Sequence, residues 1–163
     1  MLISHGMRKQ LAERVRRLFG ANPARIQVAA LPWRPAGGGV EVLLVTSRGT
    51  GRWVLPKGWP EGDEALHAAA LREAAEEAGV DGRISRDPCG SYFYGKTAAS
   101  GLTRRCEVAV FPLAVAHEAD SWPEKAVRER VWLAPAEAAR RVAEPDLGEL
   151  IAGFSPEPHR SAA

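Results

Sequence analysis

Three glutamates, Glu73, Glu76 and Glu77, stand close together in the run GWPEGDEALHAAALREAAEEAGV, residues 58–80. Alanine, leucine and glutamate dominate its second half, and these are strong helix formers. At about 100° per residue, a helix with Glu73 at zero puts Glu76 at about 300° and Glu77 at about 40°, so the three carboxylates share one face. Glu73 and Glu77 form an i,i+4 pair of like charge, which costs an isolated helix about 0.2–0.5 kcal/mol. A divalent cation removes that repulsion. Hard carboxylate oxygens suit Mg²⁺, which keeps waters and phosphate oxygens in its octahedral shell, neutralises phosphate charge and positions hydroxide for in-line attack. An ordinary solvated face would interleave lysines, and Glu73 to Val80 contains none. On the far side, Ala68, Leu71, Ala75 and Ala78 cluster within about 40° of 180°, a stripe of small side chains predicted to dock on a sheet.

The rest of the chain must supply that sheet. Its 163 residues are 45% hydrophobic and 26% charged, ordinary for one globular domain, and a net charge of +2 selects no partner. Runs 26–33, with Pro32 near the end, and 40–47 read as strands; a glycine turn at 49–51 leads through 52–56 into the opening motif. Gly79 is a natural helix stop. A strand pattern over 84–94 is interrupted by Pro88 and Gly90, and 95–103 reads as a polar loop. Next come a strand over 105–115, a charged loop over 117–130, a short strand at 131–133, and helices at 135–143 and 146–154. The expected organisation is a basic N-terminal extension (1–23), a domain (24–154) and a frayed tail (155–163). In the extension, Leu11, Val15, Leu18 and Phe19 recur at helical spacing over 7–19, an apolar side expected to pack on the domain, the alternative being contact of its basic side with nucleic acid or an anionic surface. Cys89 and Cys106 lack C-x-x-C spacing and lie in apolar runs, so buried reduced thiols are expected. No apolar run approaches the roughly 20 residues that span a bilayer, so no membrane partner is expected and the protein is expected to be cytoplasmic.

Gly58, five residues, Glu64, seven residues, Arg72-Glu73-Ala74, one residue, Glu76-Glu77, one residue, Gly79-Val80: this spacing resembles the complete Nudix box, with alanine at the aliphatic slot. The strand order around it resembles the Nudix fold over 24–154. That resemblance implies an α+β fold, a Nudix-type α/β/α sandwich with a mixed β-sheet between helices. It implies that Glu73, Glu76 and Glu77 are catalytic and, with the backbone carbonyl of Gly58, bind Mg²⁺ or Mn²⁺. Glu73 is nominated as the group that deprotonates or orients water, and Glu64 with Arg72 as a structural brace.

The stretches RWVLPKG (52–58) and SWPEKAVRERVWL (121–133) resemble the diphosphoinositol polyphosphate and diadenosine polyphosphate hydrolase branch, with Pro56-Lys57 in place of the glycine-rich segment common there. The implied activity is a metal-dependent pyrophosphohydrolase acting on a small diphosphate-containing substrate of one of those classes. A highly phosphorylated substrate needs further cations, and Lys57, Arg52, Arg104 and Arg105 are the candidates. Arg48, Lys96, Arg128 and Arg130 read as solvated. Trp59 either stacks on a base or packs under the turn. Glu118, Asp120 and Glu124 sit where some relatives supply an extra carboxylate. The alternatives are a nucleoside triphosphate or RNA 5′ pyrophosphohydrolase, RNA being admitted but not favoured as a partner, and a non-catalytic phosphate-ligand sensor on the same fold, which would carry a broken box.

Overall fold

Two strands buried on both faces form the centre of the sheet in the computed structural model, which describes residues 7, 11, 15, 25–97 and 99–156. These are β1 (Arg25–Ala36) and β7 (Thr103–Glu118), parallel from Arg25 opposite Cys106 to Trp33 opposite Ala114. Near-continuous apolar runs such as Val28-Ala29-Ala30-Leu31 are what a two-sided burial demands. Val28 and Ala30 pack on one face, Ala29 and Leu31 on the other.

The remaining strands are antiparallel to their neighbours. β2 (Gly39–Thr46) flanks β1 and carries β3 (Trp53–Val54) and β8 (Arg130–Leu133), while β5 (Val80–Ile84) and β6 (Gly90–Thr97) both pair with β7. The two-residue β4 (Lys57–Gly58) pairs with Val28 and Ala29, while β2 pairs with β1 only from Trp33 onward. The outer edge of β1 therefore forks. Pro32 sits at the fork: the amide of Ala30, two residues earlier and on the same edge, donates to Pro56 O at 3.1 Å, so the ring of Pro32 removes no bond to β7. The strand consequently runs past Pro32 to Ala36, further than the sequence pattern gave it.

Helix α1 (Leu66–Ala78) covers one face of the sheet, and α2 (Pro135–Arg141) with α3 (Pro145–Ala152) covers the other, giving the α+β sandwich with a mixed sheet between helices. Gly79 closes α1 at φ 64°, its amide donating to the carbonyls of Ala74 and Ala75. A side chain there would also strike Trp122, 2.8 Å from an added Cβ.

The docking stripe expected on α1 is displaced. The buried residues are Ala69, Ala70, Ala74, Glu77 and Ala78, whereas Ala75 is exposed and Ala68 half-buried. The helix thus docks along a face that includes Glu77, and the carboxylates lie beside the packed stripe rather than opposite it. The reason is volume: Ala70 and Ala74 let the helix approach the sheet closely, so the glutamates flanking that stripe reach β4.

Elsewhere, the interrupted run 84–94 is two strands joined by a short connection, and the loop expected over 95–103 is shorter at both ends because Lys96 and Thr97 continue the ladder opposite Arg104 and Thr103. Cys89 and Cys106 are both free thiols, but only Cys106 is buried. The basic helix over 7–19 lies outside the described residues except for Met7, Leu11 and Val15, which are helical and exposed; of the tail, only Ser155 and Pro156 are described.

Candidate active site

The site is built where α1 meets β4. Gly58 has no side chain because Glu73 occupies that space: an added Cβ would lie 2.1 Å from Glu73 Oε1. One turn on, Glu77 Oε2 accepts the backbone N–H of Lys57 at 3.0 Å. Glu73 and Glu77 are thereby drawn against two adjacent residues of one short strand, with side chains 12% and 10% exposed, while Glu76 stays 45% exposed at the rim.

Burying like charges is costly unless each is compensated. Two arginines do this. Arg72 donates from Nε and Nη2 to the two oxygens of Glu64 at 3.2 and 3.1 Å, from Nη2 to Trp59 O at 3.1 Å, and from Nη1 to Glu73 Oε1 at 2.8 Å. The pair Glu64 and Arg72 therefore ties the loop after β4 to the helix, and the same guanidinium neutralises Glu73. Arg128 donates to Glu77 Oε1 and to Glu124 Oε2, and from Nη1 to Thr46 O at 2.8 Å. Its side chain is only 7% exposed, which overturns the reading of Arg128 as solvated.

The charge balance shows in the acidities. Burial pushes Glu77 up to about 7, against the opposing pull of Arg128 and the Lys57 amide. Glu73 is likewise raised, by burial first, with Arg72 opposing. The ion pair with Arg72 lowers Glu64. Burial lowers the Lys57 ammonium, with Glu77 opposing and Lys96 adding to the effect.

The loop between β7 and β8 is pinned to the last turn of α1. Trp122 Nε1 donates to Glu77 O at 3.1 Å, the Glu124 amide to Glu76 O at 3.2 Å, and the Ala119 amide to Gly79 O at 2.8 Å. Arg130, stacked 4.1 Å from the Trp122 ring, donates to Ala78 O at 2.8 Å. These donors satisfy carbonyls that a helix end leaves open, and they bring Arg128 and Glu124 to the glutamates.

Among the described residues no three His, Cys, Asp or Glu side chains converge into a ready cage. Mg²⁺ does not require one, since it is held by one or two carboxylates and completes its shell with water and phosphate. The buried Glu77 and the largely covered Glu73, set against a backbone that only glycine fits, with Glu76 at the rim, are a donor set suited to it.

Of the four cations nominated for substrate, the structure brings Lys57 and Arg104 to the side of the glycine turn. Lys57 lies with its Nζ 4.9 Å from the Tyr94 ring, and Arg104 lines a cavity with Trp59. Arg52 is paired with Glu144 at 3.7 Å, and Arg105 lies 5.6 Å from the Phe93 ring, so neither joins that group. Sequence reasoning missed Arg25, whose guanidinium stacks 4.6 Å from Trp59, and undervalued Arg128 and Trp122. The available cue was Arg128 and Arg130 at i,i+2 before a strand, a spacing that sends both side chains to one side.

A carboxylate helix behind a glycine turn, braced by an Arg–Glu pair and set on a mixed sheet between helical layers, defines a class of phosphate-handling domain. The NUDIX domain model matches residues 23–154, and the chain belongs to the Nudix hydrolase family. It is 34% identical over 131 residues to Nudix hydrolase 21, chloroplastic, of Arabidopsis thaliana, covering 78% of this chain and 64% of that one. A segment of 47 residues, 28% of this chain and 29% of the relative, is 51% identical to diphosphoinositol polyphosphate phosphohydrolase 3-alpha of Mus musculus. A C. elegans Ap4A hydrolase binary complex superposes with a TM-score of 0.61 at 24% identity over 80% of this chain and all of that one, a likeness of fold. The chain spans about half to two-thirds of the length of the first curated relatives it matches. No helix among the described residues is long and apolar enough to cross a membrane.

Proposed function

We propose that residues 24–154 form a divalent-metal-dependent pyrophosphohydrolase that cleaves a diphosphate linkage, with dinucleoside polyphosphates or diphosphoinositol polyphosphates as its substrates. The observation that carries this reading is the packing of Glu73 and Glu77 against Gly58 and Lys57, each with its own arginine counter-ion. A helix face serving only solubility would not draw two carboxylates out of solvent against the sheet. Support for the substrate class comes from the activities for which the mouse relative and the C. elegans neighbour are named, and from the cations gathered beside the glycine turn.

Glu73, Glu76, Glu77 and the Gly58 carbonyl would hold Mg²⁺ or Mn²⁺, which supplies neutralisation of phosphate charge and a sharper nucleophile. The protein's own groups do the positioning. Glu73, raised by burial, is the nominated proton acceptor from the attacking water. Arg72 fixes its carboxylate and, with Glu64, the loop before the helix. Arg128 and the Lys57 amide fix Glu77 at both oxygens. Lys57 and Arg104 offer charge to substrate phosphates, in the manner of P-loop-type lysines and bidentate arginines.

The experiment is turnover on a panel with Mg²⁺ or Mn²⁺: diadenosine polyphosphates, diphosphoinositol polyphosphates, nucleoside triphosphates and 5′-triphosphorylated RNA. Fastest turnover of either of the first two classes is expected; preference for the last two would replace the substrate assignment. A cytoplasmic location is part of the same proposal and is checked by cell fractionation.

A further inference from the structure

The short strand β4 serves both faces of the sheet. Gly58 lies against Glu73 on the α1 face, whereas Lys57, paired with Ala29, sends its side chain to the opposite face and onto the ring of Tyr94. On that opposite face a cavity of about 240 Å³ is lined by Arg25, Trp59, Lys96, Leu102, Arg104 and Cys106. Its cations come from three strands whose registers coincide: Arg25 stands opposite Cys106, and Lys96 directly opposite Arg104.

Two features of this cavity point to an anion. Like charges directly opposite one another in an antiparallel pair are destabilising, and Lys96 with Arg104 is such a pair. Among the described residues no carboxylate forms an ion pair with Arg25, Lys96 or Arg104 to offset this, although most other arginines of the domain have one. The aromatic rings are also committed. Trp59 has Arg25 at 4.6 Å and Lys96 at 5.4 Å from its ring centroid, and Tyr94 has Lys57 at 4.9 Å. A nucleobase seeking to stack would displace a cation from a ring; a phosphate meets these cations without displacing them. At about 240 Å³ the cavity is below the roughly 300 Å³ at which pockets enclosing whole small molecules begin, so it suits one end of a ligand.

We propose that Arg25, Lys96 and Arg104, arranged around Trp59, form a second anion site that takes the phosphate-dense end of the substrate and rejects a nucleobase. As a statement about substrate it rests on the hydrolase reading above; as a binding site it can be tested alone. Lys57 joins the two sites, its amide on Glu77 and its side chain beside the cavity. This site favours a substrate crowded with phosphates beyond the bond that is cut, and so the diphosphoinositol class over the dinucleoside class.

The test is calorimetric titration in EDTA, which isolates the cavity from the metal-dependent site, with inositol hexakisphosphate, inorganic tripolyphosphate and adenosine as probes. Both phosphate probes are expected to bind, adenosine not to bind, and Lys96→Gln and Arg25→Gln each to weaken phosphate binding about tenfold. Lys96→Gln is expected to keep or raise the melting temperature, since it removes the repulsion with Arg104. Phosphate affinity unchanged in both variants, or adenosine binding that depends on them, would overturn the proposal. In turnover assays Lys96→Gln should raise KM far more than it lowers kcat. Lys96-dependent binding without hydrolysis of any diphosphate defeats the hydrolase reading and leaves the anion site standing. Hydrolysis with binding insensitive to both variants defeats the anion site alone.

Discussion

Arg128 reaches the carboxylate of Glu77 from 51 residues further along the chain and, with a 7% exposed side chain, is its buried counter-ion. Breaking a buried pair on one side strands the other charge, which costs about 3–5 kcal/mol. Arg128→Ala is therefore expected to lower stability by that order in denaturant unfolding, and Arg128→Met with Glu77→Gln, which removes both charges, to recover most of it. Equal loss in the single and double variants would mean that the guanidinium acts by packing alone.

Glu77 supplies a pH dependence with a definite sign. Its carboxyl titrates at about 7 in the fold against an ordinary 4.5, so between those values the folded protein holds a proton that the unfolded chain has released. The contribution to stability is fully present below about 4.5 and is lost as pH rises through about 7. Glu73, also raised, acts in the same direction. Metal-free protein should accordingly lose melting temperature across this window, and Glu77→Gln should flatten the loss. Because a ligand must be deprotonated to bind metal, Mg²⁺ or Mn²⁺ affinity should fall about tenfold per pH unit below 7, as read by direct titration.

Gly58→Ala places a methyl group where the Glu73 carboxylate lies, 2.1 Å from Oε1. The carboxylate must swing away, and a displacement of about 1 Å at a reacting centre costs on the order of 10²-fold in rate. A drop of that size in kcat is expected with the circular dichroism spectrum unchanged. Full activity would detach Glu73 from the chemistry.

Trp122→Phe removes the indole donor to Glu77 O while keeping an aromatic ring over Gly79. Loss of about 1 kcal/mol in unfolding free energy is expected, with weaker metal binding because the end of the helix loosens.

The helix and its glycine stop were legible in the sequence because each rests on local spacing: 3.6 residues per turn places Glu73, Glu76 and Glu77, and Gly79 ends the helix, whereas the Glu64–Arg72 brace was implied only by the resemblance to the Nudix box. The sheet was legible to within a few residues because β1, β2 and β7 are near-continuous apolar runs. What local spacing could not show was which side of the helix docks, since Ala70 and Ala74 form as good a small-residue stripe as Ala68 and Ala75. Nor could it show that Arg128 is buried while Arg52 pairs with Glu144, because both facts depend on contacts across tens of residues. Arg25 was overlooked for the same reason: only the parallel register of β1 with β7 sets it beside Arg104.

Glu77 offers the most direct test. Turnover of diadenosine and diphosphoinositol polyphosphates with Mg²⁺ should be measured for the wild-type chain and Glu77→Gln side by side. The carboxamide keeps the shape and removes the charge, so metal affinity or rate should fall by about 10–100-fold. Undiminished turnover by Glu77→Gln would contradict the assignment of the buried carboxylates to metal and catalysis.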